Sequence, residues 1–155
     1  MANGYAGMEL YTGYFGNFRK YGEITPISVA ITNPVWLKNC PVEKKLQPGK
    51  WIFEWKDEVE KTVSGGKKTL EQLKKEYVDR YYEESLFFHF KGGKELYEYL
   101  TETYGRYKTV VLCCYEKYDL RHPELEDTIP GIDFCHRHII SDFLRKSGVE
   151  CREKT

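Results

Sequence analysis

Five residues of this chain have the types and spacing to do chemistry: Cys114, Glu116, Cys135, His136 and Arg137. Cys114 and Glu116 stand two apart in LCCYE (112 to 116). Cys135, His136 and Arg137 are consecutive in CHRHII (135 to 140). A deprotonated thiol is a nucleophile, a glutamate moves a proton or orients a histidine, and a guanidinium holds an anion through planar donors. Cys135 is the best nucleophile candidate. Should a helix open at this point, its N-terminal field and Arg137 would both favour the thiolate. Glu116 then serves as general acid or base or orients His136, and Cys114 supplies a second thiol. Each residue also has a plain structural reading. Cys113 and Cys114 fit a buried strand as small core residues, Glu116 fits a solvated turn, and His136 fits a core histidine with satisfied nitrogens. Taken singly each signal is weak; their convergence favours a site.

That convergence depends on the elements carrying them. TVVLCCY (109 to 115) is short, β-branched and apolar on both parities, the pattern of a strand covered on both faces. Strand parity puts Val110, Leu112, Cys114 and Glu116 on one side, the last two at the carboxyl end. Open α/β sheets bind ligands there. Residues 136 to 146 predict a helix with Ile139, Ile140, Phe143 and Leu144 as its stripe. His136 falls on the inward side and Arg137 toward the edge.

The remaining chain predicts a strand over 9 to 15, closed by Gly16-Asn17, and a second over 26 to 31, closed by Asn33-Pro34. Residues 34 to 50 carry Pro34, Pro41 and Pro48 and predict a long loop, pinned by Trp36 and Leu37. A helix is predicted over 69 to 88 with Leu70, Leu73, Tyr77, Tyr81 and Phe88 inward, and another over 94 to 104 stopped by Gly105. Residues 117 to 134 predict a polar, acidic inserted loop, and 149 to 152 a short last strand. Strands alternating with helices give the fold class: α/β, a small open, mainly parallel sheet flanked by helices, in one domain over 1 to 155. Residues 1 to 8 read as a flexible lead without the features of a secretory signal.

Composition narrows the function classes. Hydrophobic residues make up 41% and aromatic residues 15%, with 13 tyrosines, which is enough for a core built on large rings. Lysine plus arginine and aspartate plus glutamate number 24 each, so no general electrostatic attraction to nucleic acid or anionic membrane is expected. Local patches escape that argument, and nucleic acid stays open as a partner. No stretch is apolar enough to span a bilayer. Five irregularly spaced cysteines point to reduced thiols and a cytoplasmic setting.

Three function classes compete. The leading one is a small enzyme acting on an anionic small molecule, a nucleotide or phosphorylated metabolite, in a Cys/Glu/His/Arg cleft. Tyr11, Tyr14, Asn17 and Arg19 would form the opposite, ligand-binding wall. The second is a noncatalytic module binding a nucleotide, nucleic acid or protein in the same cleft. The third is a zinc site on the same residues, disfavoured because no CxxC spacing is present. The run Lys67, Lys68, Lys74, Lys75 reads as a solvated helix face. Gly92-Gly93-Lys94 lacks phosphate-loop spacing and reads as a helix entry. Cofactor, substrate and oligomeric state do not follow from the sequence.

LCCYE with CHRHII resembles the family known as domain of unknown function 488, whose members pair a C-x-E-like strand end with a Cys-His-Arg helix start. YTGYFGNFRK (11 to 20) is similar to that family's opening strand and turn, and PISVAITNPVWL (26 to 37) to its second strand and aromatic loop. Leu46-Gln47-Pro48 and the Tyr77 and Tyr81 helix fit as well, so the resemblance covers most of the chain. It implies the fold and the place of the site rather than a reaction. Two departures stand out. Thr32 and Asn33 occupy the place of a basic residue, and the acidic insertion 117 to 134 replaces a short loop.

Overall fold

The computed structural model describes residues 8–30, 36–37, 39–63, 65, 68–114, 118–119, 122–126, 128–129, 132–133 and 136–154. Its centre is a four-stranded, all-parallel open sheet. The strands are β1 (Glu9–Tyr14), β2 (Thr25–Ser28), β3 (Thr109–Cys114) and β8 (Cys151–Glu153), in the order β2-β3-β1-β8. The expected α/β class is what the chain adopts, with the expected 109–115 strand interior over its described residues, Thr109–Cys114. β3 lies between β2 and β1, with Leu112 beside Thr12 on one side and Ile27 on the other. Val110, Val111, Leu112, Cys113 and Cys114 are all fully buried. An interior parallel strand has no wet face, which is why both parities are apolar. Each such Val or Leu contributes about 2 kcal/mol by leaving water.

The helices are α1 (Trp51–Val63), α2 (Leu70–Tyr81), α3 (Phe87–His89), α4 (Gly93–Tyr104) and α5 (His136–Lys146). α5 buries the predicted stripe of Ile139, Ile140, Phe143 and Leu144. It packs on β1, β3 and β8 and against α2 and α4. The α4 contact is close. A Cβ on Gly93 would strike the Phe143 carbonyl oxygen and come within 2.8 Å of the Leu144 Cα, so only glycine lets the two backbones meet. α2 starts on a capping box. Thr69 Oγ1 accepts the Gln72 N–H at 3.1 Å, and Gln72 Oε1 accepts the Thr69 N–H at 2.9 Å.

The structure departs from the sequence reading in several places. The 69–88 helix is not one α-helix: after Tyr81 the chain makes a π-turn, Tyr82–Leu86, before α3. The wider turn shifts the helical phase. Leu86 and Phe90 go inward, and Phe88, expected in the stripe, is 75% exposed. α1 was not foreseen, because its inward Trp51, Ile52 and Trp55 crowd its start and charges follow. The 34–50 loop holds a short 3-10 helix, Lys44–Leu46. Leu37 packs against the core, whereas Trp36, expected as an anchor, is 56% exposed. β2 ends at Ser28 rather than 31. Beyond its edge the chain continues the ladder: Ser28 N–H donates to the Pro41 carbonyl and Glu43 N–H to the Ser28 carbonyl, both at 2.8 Å. The 117–134 insertion is not plain loop. Its described backbone forms two antiparallel ribbons, β4 (Tyr118–Asp119) with β5 (His122–Glu126), and β6 (Thr128–Ile129) with β7 (Ile132–Asp133). Among the described residues no helix is long and apolar enough to cross a membrane.

Candidate functional site at the strand carboxyl ends

Parity decides which side chains meet. Thr12 on β1, Cys114 on β3 and Glu153 on β8 share the sheet face that α5 covers, and Thr12 and Glu153 are register partners. Arg137, in the first turn of α5, lies over them. Its Nε donates to both oxygens of Glu153, at 2.9 and 3.2 Å, and its Nη1 donates to Cys114 Sγ at 3.2 Å. Thr12 Oγ1 donates to Glu153 Oε1 at 2.8 Å. Cys114 and Thr12 are fully buried and Arg137 is 2% exposed, while the Glu153 side chain is 31% exposed. A guanidinium is always charged, so its burial demands a partner. Glu153 supplies that partner and keeps one edge toward solvent.

His136 points elsewhere. Its Nε2 donates to the Val29 carbonyl at 2.9 Å, since a carbonyl only accepts. In the neutral ring that leaves Nδ1 to accept the Tyr77 hydroxyl at 3.1 Å. The ring, fully buried, also tilts against Tyr81 with centroids 5.3 Å apart. His136 thus ties α5 to α2 and to the end of β2, and both nitrogens are engaged in that bracket.

The other expected site residues divide. Tyr14 ends β1 on the Cys114 side, half-buried; its N–H donates to Tyr21 Oη at 3.0 Å and its carbonyl accepts the Tyr21 hydroxyl at 3.1 Å. Burial pushes the Tyr21 hydroxyl above its ordinary range, against the Tyr14 hydrogen bond. Gly13 makes room for that ring: a Cβ there would fall 2.5 Å from Tyr21 Oη. Tyr11, one residue out of parity with Thr12, is on the opposite sheet face and does not join the cluster. Its hydroxyl bonds Glu9 at 3.1 Å. Asn17 is half-buried in the 3-10 turn Phe15–Lys20. That turn also holds Arg19, whose side chain lies outside the described ones, as Glu116 and Cys135 lie outside the described residues.

Three further thiols are poor nucleophiles. Burial pushes Cys113 far up, Cys151 up to about 12 despite a hydrogen bond with Ser141, and Cys40 up as well. Among the described residues no three His, Cys, Asp or Glu side chains converge to hold a metal ion.

The sequence reading missed Glu153, Thr12 and Lys74. Thr12 was open to the parity argument in ELYTGY, standing on the same face as Leu10 and Tyr14. Glu153 was hidden in a charged terminal stretch that reads as solvated. The lysine run divides. Lys68 pairs with Glu58 and Glu76 and Lys75 with Asp79 at the surface, each at 2.8 Å, but Lys74 is buried, one turn before Tyr77 on α2. The solvated-face expectation fails there because residue 74 falls on the inward side with Tyr77 and Tyr81. Comparison of the chain with protein-family models, with curated proteins and with solved structures finds no match.

Proposed function

We propose that this chain is a small enzyme acting on an anionic small molecule, a nucleotide or phosphorylated metabolite, at the carboxyl ends of β1 and β3. The observation that supports it is Arg137, a buried guanidinium shared between a carboxylate and a thiol sulfur. A buried charge pair stabilises a fold poorly compared with apolar packing of the same volume. Such a pair at the ligand-binding end of a parallel sheet favours a role in recognition or chemistry. In this reading Arg137 binds the anion, Cys135 is the nucleophile directly before α5, Cys114 is the second thiol, and Glu116 carries the proton. The likeness to the domain of unknown function 488 family, through LCCYE and CHRHII, supports the same placement.

One observation favours the noncatalytic alternative. His136, the expected acid–base partner, has both ring nitrogens engaged by Val29 and Tyr77. The experiment that separates the readings combines binding with thiol reactivity. Thermal shift against inorganic phosphate, pyrophosphate, AMP and zinc chloride tests the ligand. A ligand at about a hundred times its dissociation constant stabilises by about 2.7 kcal/mol. Alkylation with iodoacetamide, read by mass spectrometry across pH, tests the thiol. The enzyme reading expects a phosphate-bearing ligand to stabilise the protein and Cys135 to label first. Binding with Cys135 no faster than Cys40 selects the noncatalytic module. Zinc bound in a one-to-one ratio and lost in Cys135→Ser selects the metal site.

A further inference from the structure

We infer that Glu153, steadied by Thr12, is the positioning residue of this site: it fixes the plane of the Arg137 guanidinium so that Nη1 meets Cys114. This rests on the anion reading of Arg137 given above. Arg137 enters from α5, and a long side chain leaving a helix has many rotamers. Two contacts select one. Nε sits between both Glu153 oxygens, at 2.9 and 3.2 Å, and that bond fixes the Nε–H direction. Because the guanidinium is planar, fixing Nε also fixes where both Nη atoms point, and Nη1 then lies 3.2 Å from Cys114 Sγ. The carboxylate has its own brace: Thr12 Oγ1 holds Oε1 at 2.8 Å from the neighbouring strand. Backbone pairing supports the brace, since Thr12 and Glu153 are register partners and the Lys154 N–H donates to the Thr12 carbonyl at 2.7 Å. The chain of cause therefore runs from β1 through β8 to α5 and back to β3. β8, three residues at the sheet edge, contributes this carboxylate to the site as well as closing the sheet.

The test uses the full chain with Glu153→Gln, Thr12→Val and Thr12→Ser. Two readouts are taken: the Arg137 Nε–H resonance with its solvent-exchange rate by NMR, and affinity for pyrophosphate by calorimetry. Glu153→Gln should speed Arg137 Nε–H exchange and weaken pyrophosphate binding by about tenfold, the worth of one charge-assisted hydrogen bond. Thr12→Val keeps the shape and removes only the brace, so it should show the same two changes at a few-fold size, and Thr12→Ser should restore both. A merely structural ion pair would lower the melting temperature without altering affinity in the variants that stay folded. An Arg137 signal indifferent to Glu153→Gln and Thr12→Val overturns the positioning role. Wild-type protein with a protected Arg137 signal but no affinity for pyrophosphate or AMP overturns the anion reading instead. Glu153 would then be left as the partner of a structural arginine, and the positioning inference falls with it.

Discussion

Two carboxylates, the buried Glu43 and the part-buried Glu153, are satisfied in different ways. Glu43, 3% exposed, accepts the hydroxyls of Tyr99 and Tyr104 on Oε1, both at 2.8 Å, and the Lys45 N–H on Oε2 at 3.0 Å. Glu153 instead meets a guanidinium and a threonine hydroxyl, with a sulfur on the far side of the same guanidinium. The first is a clip. It caps the short helix Lys44–Leu46 and ties the strand-edge segment to α4, and every contact is explained by holding the fold together. Burial, with Glu43 next, pushes the Tyr104 hydroxyl far above its ordinary range, so it stays a donor at any working pH. The second cluster holds a permanent charge that a clip does not need. Neutral donors suffice to satisfy a carboxylate, and where the chain buries a cation as well, architecture alone leaves the expense unexplained.

The comparison breaks most readily at Glu43. Glu43→Ala removes the acceptor of three donors. The Lys45 N–H and the Tyr99 hydroxyl can turn toward water, but the buried Tyr104 hydroxyl is stranded and the cap is lost. Stability should fall by about 3 kcal/mol in a urea melt. Pyrophosphate affinity of the folded fraction should stay unchanged. A large loss of affinity would mean that the two clusters are not separate in function.

Glu153→Ala comes next. Breaking a fully buried ion pair costs about 3–5 kcal/mol because the other charge is left unpaired. Glu153 is 31% exposed, and water will fill part of its place, so a loss of about 2 kcal/mol is expected. Here affinity should fall with stability. A stability loss like that of Glu43→Ala with no loss of affinity would make the second cluster another clip.

His136→Phe sharpens the boundary between the two kinds of region, because His136 stands beside Arg137 in sequence yet serves as a bracket. A phenyl ring keeps the packing against Tyr81 but removes the donor to the Val29 carbonyl and the acceptor of the Tyr77 hydroxyl. About 1.5 kcal/mol should be lost by thermal denaturation. Affinity retained within a few-fold would place His136 with the clip. Affinity abolished would return it to the site.

Much of this layout was legible in the sequence, and the misses have physical causes. The β3 run and the α5 stripe were readable because each is a long pattern set by burial alone. Parity then placed Cys114 on one face, but helix phase put Arg137 only toward the edge, and its burial over Cys114 came from the tertiary packing. Tyr11 was misplaced because a strand's two faces were read together rather than alternately. Phe88 was lost to a π-turn, which no periodicity of 3.6 anticipates. Glu153 and Glu43 could not be recognised because a carboxylate engaged by the fold looks like a surface one until partners distant in the chain, Thr12 for the first and Tyr99 and Tyr104 for the second, are in place.

The smallest expected effect sets the scale for the others. Asp142 on α5 accepts the Tyr82 hydroxyl at 2.7 Å and pairs with Lys146 at 3.0 Å, at the surface. Burial pushes its carboxyl up, but the Tyr82 hydrogen bond and Lys146 outweigh that, and the net shift is downward. A carboxyl held below its unfolded value contributes stability that is present at neutral pH. The contribution is lost as pH falls through the ordinary aspartate range and then through the lower folded value. Asp142→Asn should therefore cost under about 0.5 kcal/mol at neutral pH, as exposed pairs do, and the difference from wild type should vanish in acid. Urea melts at neutral pH and well below the aspartate range measure both ends. Glu153→Gln, run in the same series, is the informative neighbour: it also removes one carboxylate beside one cation. Should its cost at neutral pH be no larger than that of Asp142→Asn, water already does for Arg137 what Glu153 was argued to do. The buried guanidinium would then need no carboxylate to hold it, and the case for a built site at the ends of β1 and β3 would lose its foundation.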